Sequence, residues 1–229
     1  MVASPVLMPA RAPLEDPLMY LPCSSVSRYR RGQKIYGKSQ PSAGLYLVIE
    51  GKVKVSRSFD GGEEVVVDIY RTDEFFGESA FLSPGPTLDE AWAFENSKLM
   101  SWTIAEIEAI TARQPRLAIA LLQVLAQRNV DLTHRIESFA IDNIARRLAR
   151  TLIRLSERMG HPESDGSVDM IPLTHEVLSQ YVGTSREVVT LHMNRFRRDG
   201  YVRYSRKSMT LYRSAFQEWL RQASGSMTT

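Results

Sequence analysis

The chain has 229 residues and a formal net charge of +3 at pH 7, with 43% hydrophobic and 24% charged residues. These values are typical of a folded protein of one or two domains. No stretch approaches the ~18–20 apolar residues of a membrane-spanning helix, so we expect a cytoplasmic protein without a membrane contact. Cys23 is the single cysteine, which excludes an internal disulfide, a thiolate zinc site and a self-contained iron–sulfur cluster.

The charge is unevenly distributed along the chain. Residues 1–140 carry a formal net charge of −2, and residues 141–229 carry one of +5. This division indicates that only the second part meets a polyanion. Eight of the 13 glycines lie between Gly32 and Gly85, and none lies between 86 and 159. The glycine distribution therefore predicts many turns first and long helices afterwards.

The first hundred residues are typical of an arm followed by short strands. Residues 1–20 are rich in proline and poor in apolar side chains, which predicts a flexible arm. Apolar runs such as 45–49 then alternate with turn signals such as Asp-Gly-Gly at 60–62. Many short strands at this spacing predict a β-roll over residues 21–105.

A helical region follows at residues 106–140. Thr103 and Glu106 form a capping-box pattern, which predicts a short helix. Residues 116–140 contain no helix breaker and predict a helix of about 37 Å. A helix of that length extends beyond one small roll, so we expect it to form a homodimer seam, with an ordinary core helix as the alternative. The predicted seam consists of Leu121, Leu125, Leu132, Ile136 and Phe139.

Residues 141–229 begin with a further helix, at about 142–158. Four arginines lie on or near one of its faces, and we interpret them as a solvated face. They are Arg146, Arg147, Arg150 and Arg154.

The order of elements after residue 172 is typical of a helix-turn-helix. Thr174 is the N-cap of a short amphipathic helix that ends at Gly183. Thr184 and Ser185 then begin a second amphipathic helix, which extends to about Arg198. Two alternating strands with a basic tip between them follow, and they predict a wing beside the second helix.

This pattern predicts a DNA-binding domain over residues 141–229, whereas the alternative is a small α+β domain without that function. Arginine binds guanine with two hydrogen bonds, and glutamate accepts one from cytosine, so the start of the second helix is expected to read bases. The predicted base-reading residues are Arg186, Glu187, Thr190 and Leu191. The predicted phosphate-contacting residues are Thr174, Thr184, Ser185, Arg195, Arg206 and Lys207.

Several segments resemble one family of bacterial transcription regulators. Residues 183–189 read Gly-Thr-Ser-Arg-Glu-Val-Val. They are similar to the recognition-helix signature Gly-x-Ser-Arg-Glu-x-Val of the cyclic-AMP receptor protein/FNR (Crp/Fnr) family. Residues 45–55 resemble the family's effector-domain roll, and Phe-Gly-Glu at 76–78 resembles the start of its ligand cassette. The resemblance covers about residues 28–215 in the family's domain order.

The resemblance implies an α+β chain with an N-terminal jelly-roll of the cyclic-nucleotide-binding type, a long dimerisation helix and a C-terminal winged helix-turn-helix. It further implies a homodimer on a palindromic operator in double-stranded DNA, with a contact to RNA polymerase. Leu191 lies where the cyclic-AMP receptor protein has a second base-reading arginine. Leucine can contact a thymine methyl but cannot bind guanine, so we expect a different operator there.

The effector pocket implied by the resemblance departs from the family pattern. Members that bind cyclic AMP hold the ribose with Gly-Glu and the cyclic phosphate with Arg-Ser. This chain has Gly77, Glu78 and Ser79, but Asp89 and Glu90 stand where Arg-Ser is expected. Two carboxylates repel a phosphate, so we do not expect conventional cyclic-AMP binding, and the effector stays unidentified.

Other functions receive less support from the sequence. The lone Cys23 cannot hold an FNR-type cluster, and the four histidines form no recognisable pair of haem ligands. No nucleophile–base set or metal-ligand spacing is recognisable, so we expect no enzyme activity, no cofactor and no metal. One alternative is a nucleotide-binding regulatory module that acts through a protein partner rather than DNA, although the Arg186-Glu187 helix start argues against it.

Overall fold

The computed structural model describes residues 14–225 except 41, 43, 61, 83–88 and 206–207. Most of the predicted arm, as well as Arg206 and Lys207, therefore lies outside the described residues. The described chain folds into a β-rich N-terminal part, two helices and a C-terminal part of helices and short strands, so the predicted α+β class is confirmed.

The described residues of the N-terminal part form eight strands. They are β1 (Val26–Tyr29), β2 (Lys34–Tyr36), β3 (Gly44–Glu50), β4 (Lys52–Ser58), β5 (Glu64–Arg71), β6 (Phe75–Phe76), β7 (Asp89–Ala93) and β8 (Ser97–Thr103). They pair antiparallel in two four-stranded sheets, with the orders β1-β8-β3-β6 and β2-β7-β4-β5. Strands β4 and β5 pair antiparallel on either side of the predicted turn signal, of which Gly61 lies outside the described residues.

Apolar and aromatic side chains fill this roll. Val53 and Val55 of β4 are buried, as their alternation with polar residues predicts. The rings of Tyr46 and Phe76 stack with 5.1 Å between their centroids, and Tyr70 stacks on Phe76 at 5.6 Å. Stacked rings of this kind contribute about 0.5–1.5 kcal/mol beyond the burial of their area, which stabilises the interior of the roll.

Two helices follow the roll, α1 (Ile104–Arg113) and α2 (Arg116–Ile141). The predicted capping box starts α1: the Glu106 N–H donates to Thr103 Oγ1 at 3.2 Å, and the Thr103 N–H donates to Glu106 Oε2 at 2.7 Å. Leu117 and Ala120 bury the first turns of α2 against the roll. Despite the 26 residues of α2, no described helix is long and apolar enough to cross a membrane.

As far as the structure describes it, the C-terminal part contains four helices and one four-stranded sheet. Its elements are α3 (Ile144–Met159), β9 (His161–Pro162), β10 (Val168–Met170), α4 (His175–Val182), α5 (Arg186–Arg198), β11 (Val202–Tyr204), β12 (Met209–Leu211) and α6 (Arg213–Gly225). The sheet order is β11-β12-β10-β9. The predicted wing strands β11 and β12 pair with each other, and β12 also pairs with β10, which pairs with β9. The sequence pattern did not predict β9 or β10.

The arginines of α3 have protein partners. Arg146 is 8% exposed, and its Nε donates to Asp142 at 3.1 Å. Arg147 is half-buried and donates to the carbonyl oxygens of Val182 at 3.1 Å and Phe139 at 3.3 Å. The interpretation as a solvated face is therefore wrong for these two residues, because helical spacing does not reveal what packs against a face.

Strand β5 joins the roll to the C-terminal part. Val66 and Ile69 are fully buried in the same apolar cluster as the core of α3, α4 and α5. Between them, both carboxylate oxygens of Asp68 accept from Arg158 at 2.8 Å, and one accepts from the Tyr181 hydroxyl at 3.1 Å. Burial, followed by the charge of Asp68, raises the pKa of Tyr181, so this phenol stays protonated and keeps α4 attached to the roll.

The described end of the predicted arm packs on α2. A helical turn at Pro17–Met19 begins at Asp16, whose side chain accepts from the Leu18 N–H at 2.9 Å. The Glu15 N–H donates to Gln123 of α2 at 2.7 Å. Residues 14–20 thus contribute to the surface around the long helix.

Candidate nucleic-acid interface

Two helices and a glycine turn build the predicted helix-turn-helix. The Thr174 hydroxyl accepts from the Val177 N–H at 3.1 Å and caps α4. Gly183 ends α4 at φ +72°, a conformation that glycine adopts without strain. The Ser185 hydroxyl then accepts from the Val188 N–H at 3.4 Å and caps α5. These caps fix the angle between the two helices.

Helix α5 has one buried face and one exposed face. Val189, Met193 and Phe196 are buried in the core, which fixes the rotation of the helix. The opposite face presents Arg186, Glu187 and Leu191, of which Leu191 is 66% exposed, an unusual value for a large apolar side chain. The three predicted base-reading side chains therefore project from the same open surface, without a described element covering them.

Thr190, the fourth predicted base-reading residue, is half-buried beside α4. Its hydroxyl donates to the Arg186 carbonyl at 2.8 Å and lies 2.8 Å from Nδ1 of His175. Because the hydroxyl hydrogen is used, the imidazole Nδ1–H donates to Thr190 Oγ1. Burial, and secondly the charge of Arg186, lower the pKa of His175, so the ring is neutral at pH 7. Thr190 thus offers its methyl group, rather than its hydroxyl, to an outside partner.

The predicted phosphate-contacting residues lie at the edges of this surface. The Thr174 and Ser185 hydroxyls accept backbone N–H groups, so their own hydrogens remain available to donate to a phosphate oxygen. Thr184 is half-buried in the turn, and Arg195 is exposed on α5 with Asp199 at 3.7 Å. Arg206 and Lys207 lie outside the described residues.

Most of the predicted seam residues are exposed on α2. Leu125, Leu132, Ile136 and Phe139 are solvent-exposed in the single chain. Leu121 instead packs partly buried against the core of the roll. The exposed series continues through Leu122, which is 61% exposed, and Asn129, so that the spacings from 122 to 139 alternate between three and four residues. This alternation is the repeat of a two-stranded coiled coil.

The predicted effector residues on the first side of the pocket are Gly77, Glu78 and Ser79. Gly77 has φ +90°, and an added Cβ would lie 2.7 Å from the Gly44 carbonyl oxygen, so the tight turn requires glycine. Glu78 forms an ion pair with Arg128 of α2. The Ser79 hydroxyl is buried and has no hydrogen-bond partner among the described atoms.

The acidic pair on β7 is neutralised in a similar way. Asp89 contacts Arg57 at 2.5 Å and Glu90 contacts Lys34 at 3.1 Å. Burial, followed by the charges of Glu78 and Asp89, raises the pKa of Tyr36 inside the roll. Glu78 and Asp89 therefore both raise the pKa of one buried phenol.

Comparisons with known proteins agree with both parts of this architecture. Residues 26–114 match the cyclic nucleotide-binding domain, and residues 146–215 match the Crp-like helix-turn-helix domain. The cAMP-activated global transcriptional regulator CRP of Haemophilus influenzae is 30% identical over 184 residues, which cover 76% of this chain and 79% of that protein. The chain belongs to the Crp/Fnr family of transcription regulators.

Two further matches span most of the chain. A CRP-like cAMP-activated global transcriptional regulator of Mycobacterium tuberculosis is 28% identical over 183 residues, 80% of this chain and 82% of its own length. The crystal structure of a Crp/Fnr-family transcriptional regulator from Thermus thermophilus superposes with a TM-score of 0.70 at 27% identity. It covers 86% of this chain and 98% of that one. The order of roll, long helix and DNA-binding helix-turn-helix is thus that of the family.

Two residues of this Crp/Fnr-type surface were not predicted from the sequence. The Tyr204 hydroxyl on β11 donates to Oδ1 of Asn194 on α5 at 3.1 Å. The contact joins the wing to the recognition helix and leaves the Asn194 amide to present its N–H donors at the exposed face. Asn194 follows Arg186 and Thr190 at spacings of four, which was a usable signal, whereas its partner in the wing was not visible from spacing.

Proposed function

We propose that this Crp/Fnr-family regulator acts as a homodimer on a palindromic operator in double-stranded DNA. One observation carries the proposal: α5 buries Val189, Met193 and Phe196 and presents Arg186, Glu187 and Leu191 on an open face. A helix held in this way enters the major groove with its first turn at the base edges. The alternative, a module that acts through a protein partner, gives no account of a basic, exposed recognition helix.

The homodimer part of the proposal is supported by the exposed series on α2. Leu122, Leu125, Leu132, Ile136 and Phe139 form an apolar stripe on a helix whose opposite face already packs on the roll. A second copy of α2 covers this stripe along a two-fold axis. The axis then places two α5 helices on half-sites separated by about one turn of DNA, roughly 34 Å.

A binding-site selection from random double-stranded DNA tests the proposal directly. The full chain should enrich an inverted repeat, and a gel shift on that repeat should show one dimer per site. An enriched sequence without two-fold symmetry, or no enrichment at all, contradicts the proposal. A contact with RNA polymerase and a cytoplasmic location belong to the same proposal and rest on the family membership.

We further propose that conventional cyclic-AMP binding does not control this protein and that it carries no catalytic residue. The support is the acidic pair, because a cyclic phosphate at β7 would meet the carboxylates of Asp89 and Glu90. The nearby cations Arg57 and Lys34 already form ion pairs with these two carboxylates. The relatives in Haemophilus and Mycobacterium are named for activation by cyclic AMP. Calorimetry with cyclic AMP therefore distinguishes a protein that shares this property from one that does not. We expect no binding heat with cyclic AMP in the micromolar range, and a saturable isotherm contradicts this part.

A further inference from the structure

The structure contains a basic cleft that the DNA-binding surface does not use. It lies between the end of α2, the arginine-bearing face of α3 and helix α6, and it has a volume of about 560 Å³. Arg147, Arg150 and Arg154 project into it from α3 at spacings of three and four residues, and Arg135 of α2 and Tyr181 of α4 complete its base. We call this cavity the hinge cleft, because α2 and α3 meet beside it.

Within the described part of the chain, three of its arginines have no carboxylate partner. No described aspartate or glutamate oxygen lies within ion-pair distance of Arg135, Arg147 or Arg154. Arg135 donates to the carbonyl oxygens of Val66 and Val67, and Arg154 donates to the Tyr181 hydroxyl. These neutral acceptors orient the guanidinium groups but leave their positive charges uncompensated.

The charges are also concentrated. The guanidinium carbons of Arg135 and Arg154 both lie over the ring of Tyr181, at 4.3 and 5.1 Å from its centroid. Arg147 stacks on Phe139 at 4.3 Å, and its Nε–H is buried without an acceptor among the described atoms. Arg150 shares the carboxylate of Asp142, at 2.8 Å, with Arg146. Arg135 and Arg154 therefore hold two positive charges against one ring, where like charges repel, and an anion bound beside them offsets that repulsion.

Guanidinium groups select the anion by shape as well as by charge. An arginine presents two parallel N–H donors that match two oxygens of one phosphate, and a row of arginines matches a chain of phosphates. The hinge cleft falls within the 300–1,000 Å³ range of small-molecule sites. Among the acidic lining residues, Asp142 pairs with Arg146 and Arg150, and Glu157 pairs with Arg213. Glu137 is then the one remaining lining carboxylate to offset Arg135, Arg147 and Arg154, so the described lining keeps an excess of positive charge.

We propose that the hinge cleft binds a small, multiply charged phosphate ligand. Such a ligand would contact α2, α3 and α4 at once, which are the elements that connect the dimer helix to the helix-turn-helix. This site is separate from the predicted pocket in the roll and does not depend on whether the protein binds DNA.

Isothermal titration calorimetry on the full chain at constant ionic strength tests the proposal, with inorganic triphosphate, ATP and sulfate as probes. We expect saturable binding of triphosphate with one site per chain, and at least tenfold weaker binding of sulfate. Equal affinities for triphosphate and ATP assign recognition to the phosphates alone, whereas tighter binding of ATP adds a contact to the nucleoside. Either result supports the site, and the absence of saturable binding to both overturns it.

Matched variants locate the binding. Arg150→Gln with Arg154→Gln should weaken triphosphate binding at least tenfold, whereas Arg28→Gln, an exposed charge on β1 of the roll, should leave it unchanged. If the double glutamine variant loses its folded circular dichroism spectrum, Arg150→Lys with Arg154→Lys keeps the charge and should still weaken binding severalfold. Unchanged binding in the folded variants, or equal loss with Arg28→Gln, overturns the proposal.

DNA is the other polyanion that these arginines could meet. In the absence of triphosphate, the double glutamine variant should bind DNA with the same affinity and the same salt dependence as the original chain. A uniform loss on all DNA sequences with a smaller salt slope would assign the arginines to the DNA backbone and overturn the proposal.

Discussion

Phe139, the last apolar residue of the exposed series on α2, lies against Gly183, the turn glycine between α4 and α5. A Cβ added to Gly183 would lie 2.8 Å from the ring of Phe139. Arg147 stacks on the same ring at 4.3 Å and donates to the Val182 carbonyl. The proposed dimer seam and the turn of the helix-turn-helix therefore meet at a single aromatic side chain.

Gly183→Ala should destabilise the protein more than an alanine at another left-handed glycine. Alanine at positive φ costs about 1–2 kcal/mol by itself, and Gly166→Ala measures this cost, since Gly166 has φ +80° and no atom within 4 Å of its added Cβ. Gly183→Ala adds the collision with Phe139. Thermal unfolding should show a larger loss of stability for Gly183→Ala than for Gly166→Ala. In a Phe139→Ala background the two substitutions should destabilise the protein equally. A difference that persists without the ring would contradict the contact.

Arg186→Ala should reduce sequence specificity. The loss of a bidentate contact to guanine should cost about 1–3 kcal/mol on the selected operator and relax the preference at one G·C pair. Fluorescence anisotropy on the operator and on random DNA measures both effects. Equal weakening on the two DNAs would remove Arg186 from the base-reading residues.

Arg195→Ala should behave differently from Arg186→Ala. Arg195 is exposed on α5 beyond the first turn, where a phosphate contact is expected. Its removal should weaken binding to all sequences similarly and lower the slope of log affinity against log salt by about one ion. The same anisotropy assay at several salt concentrations checks this, and an unchanged slope would argue against a phosphate contact.

Leu132→Asp should dissociate the homodimer, because it places a charge in the apolar stripe of α2. Val130→Asp is the matched control, since Val130 is also exposed on α2 but lies outside the alternating series. Light scattering should show monomers for Leu132→Asp and dimers for Val130→Asp, and the monomer should fail on the inverted repeat. A dimeric Leu132→Asp protein would require a different interface.

Acidification should destabilise the DNA-binding part before the carboxylates titrate. Burial, followed by a neighbouring arginine, lowers the folded-state pKa of His175 and of His192 below the ordinary histidine value of 6.5. Well above pH 6.5 the rings are neutral in both states, so these groups do not affect stability there. As the pH falls below 6.5, the unfolded state takes up protons first and stability decreases. The melting temperature should therefore fall between pH 7 and pH 5, and less so in His175→Gln with His192→Gln. An identical fall in that variant would exclude these rings.

Local signals predicted the fold well where neighbouring residues decide the structure. Thr103 with Glu106, and Ser185, mark helix starts through side-chain hydrogen bonds to the neighbouring backbone, and Gly183 marks a helix end through its positive φ. Neighbouring residues thus contain the whole cause. Such cap and turn signals, together with the spacing of apolar residues, predicted the roll and the helix-turn-helix. Family resemblance then supplied the domain order and the roles of the pocket residues, which spacing alone does not contain.

Side-chain partners from distant segments were not predictable in this way. Whether Leu121 faces the dimer seam or the roll depends on which side of α2 packs on the roll. Its spacing of four residues from Leu125 is compatible with either position. By its spacing Arg146 is typical of a surface arginine, but it is buried and donates to the carbonyl oxygen of Leu220 in α6 at 3.2 Å. Thr190 was assigned to base reading, yet its hydroxyl is engaged by a histidine 15 residues away. Each difference comes from tertiary contacts.

The two buried residues of β5 have a consequence for how the chain comes apart. Val66 and Ile69 belong to the roll by sequence but to the C-terminal core by burial. A fragment that starts after α2 would therefore expose an apolar patch where these side chains had been, and it would tend to self-associate. The boundary that the charge distribution suggests at residue 140 separates an acidic part from a basic part. The cooperative unit that unfolds contains β5 of the first part together with the core of the second.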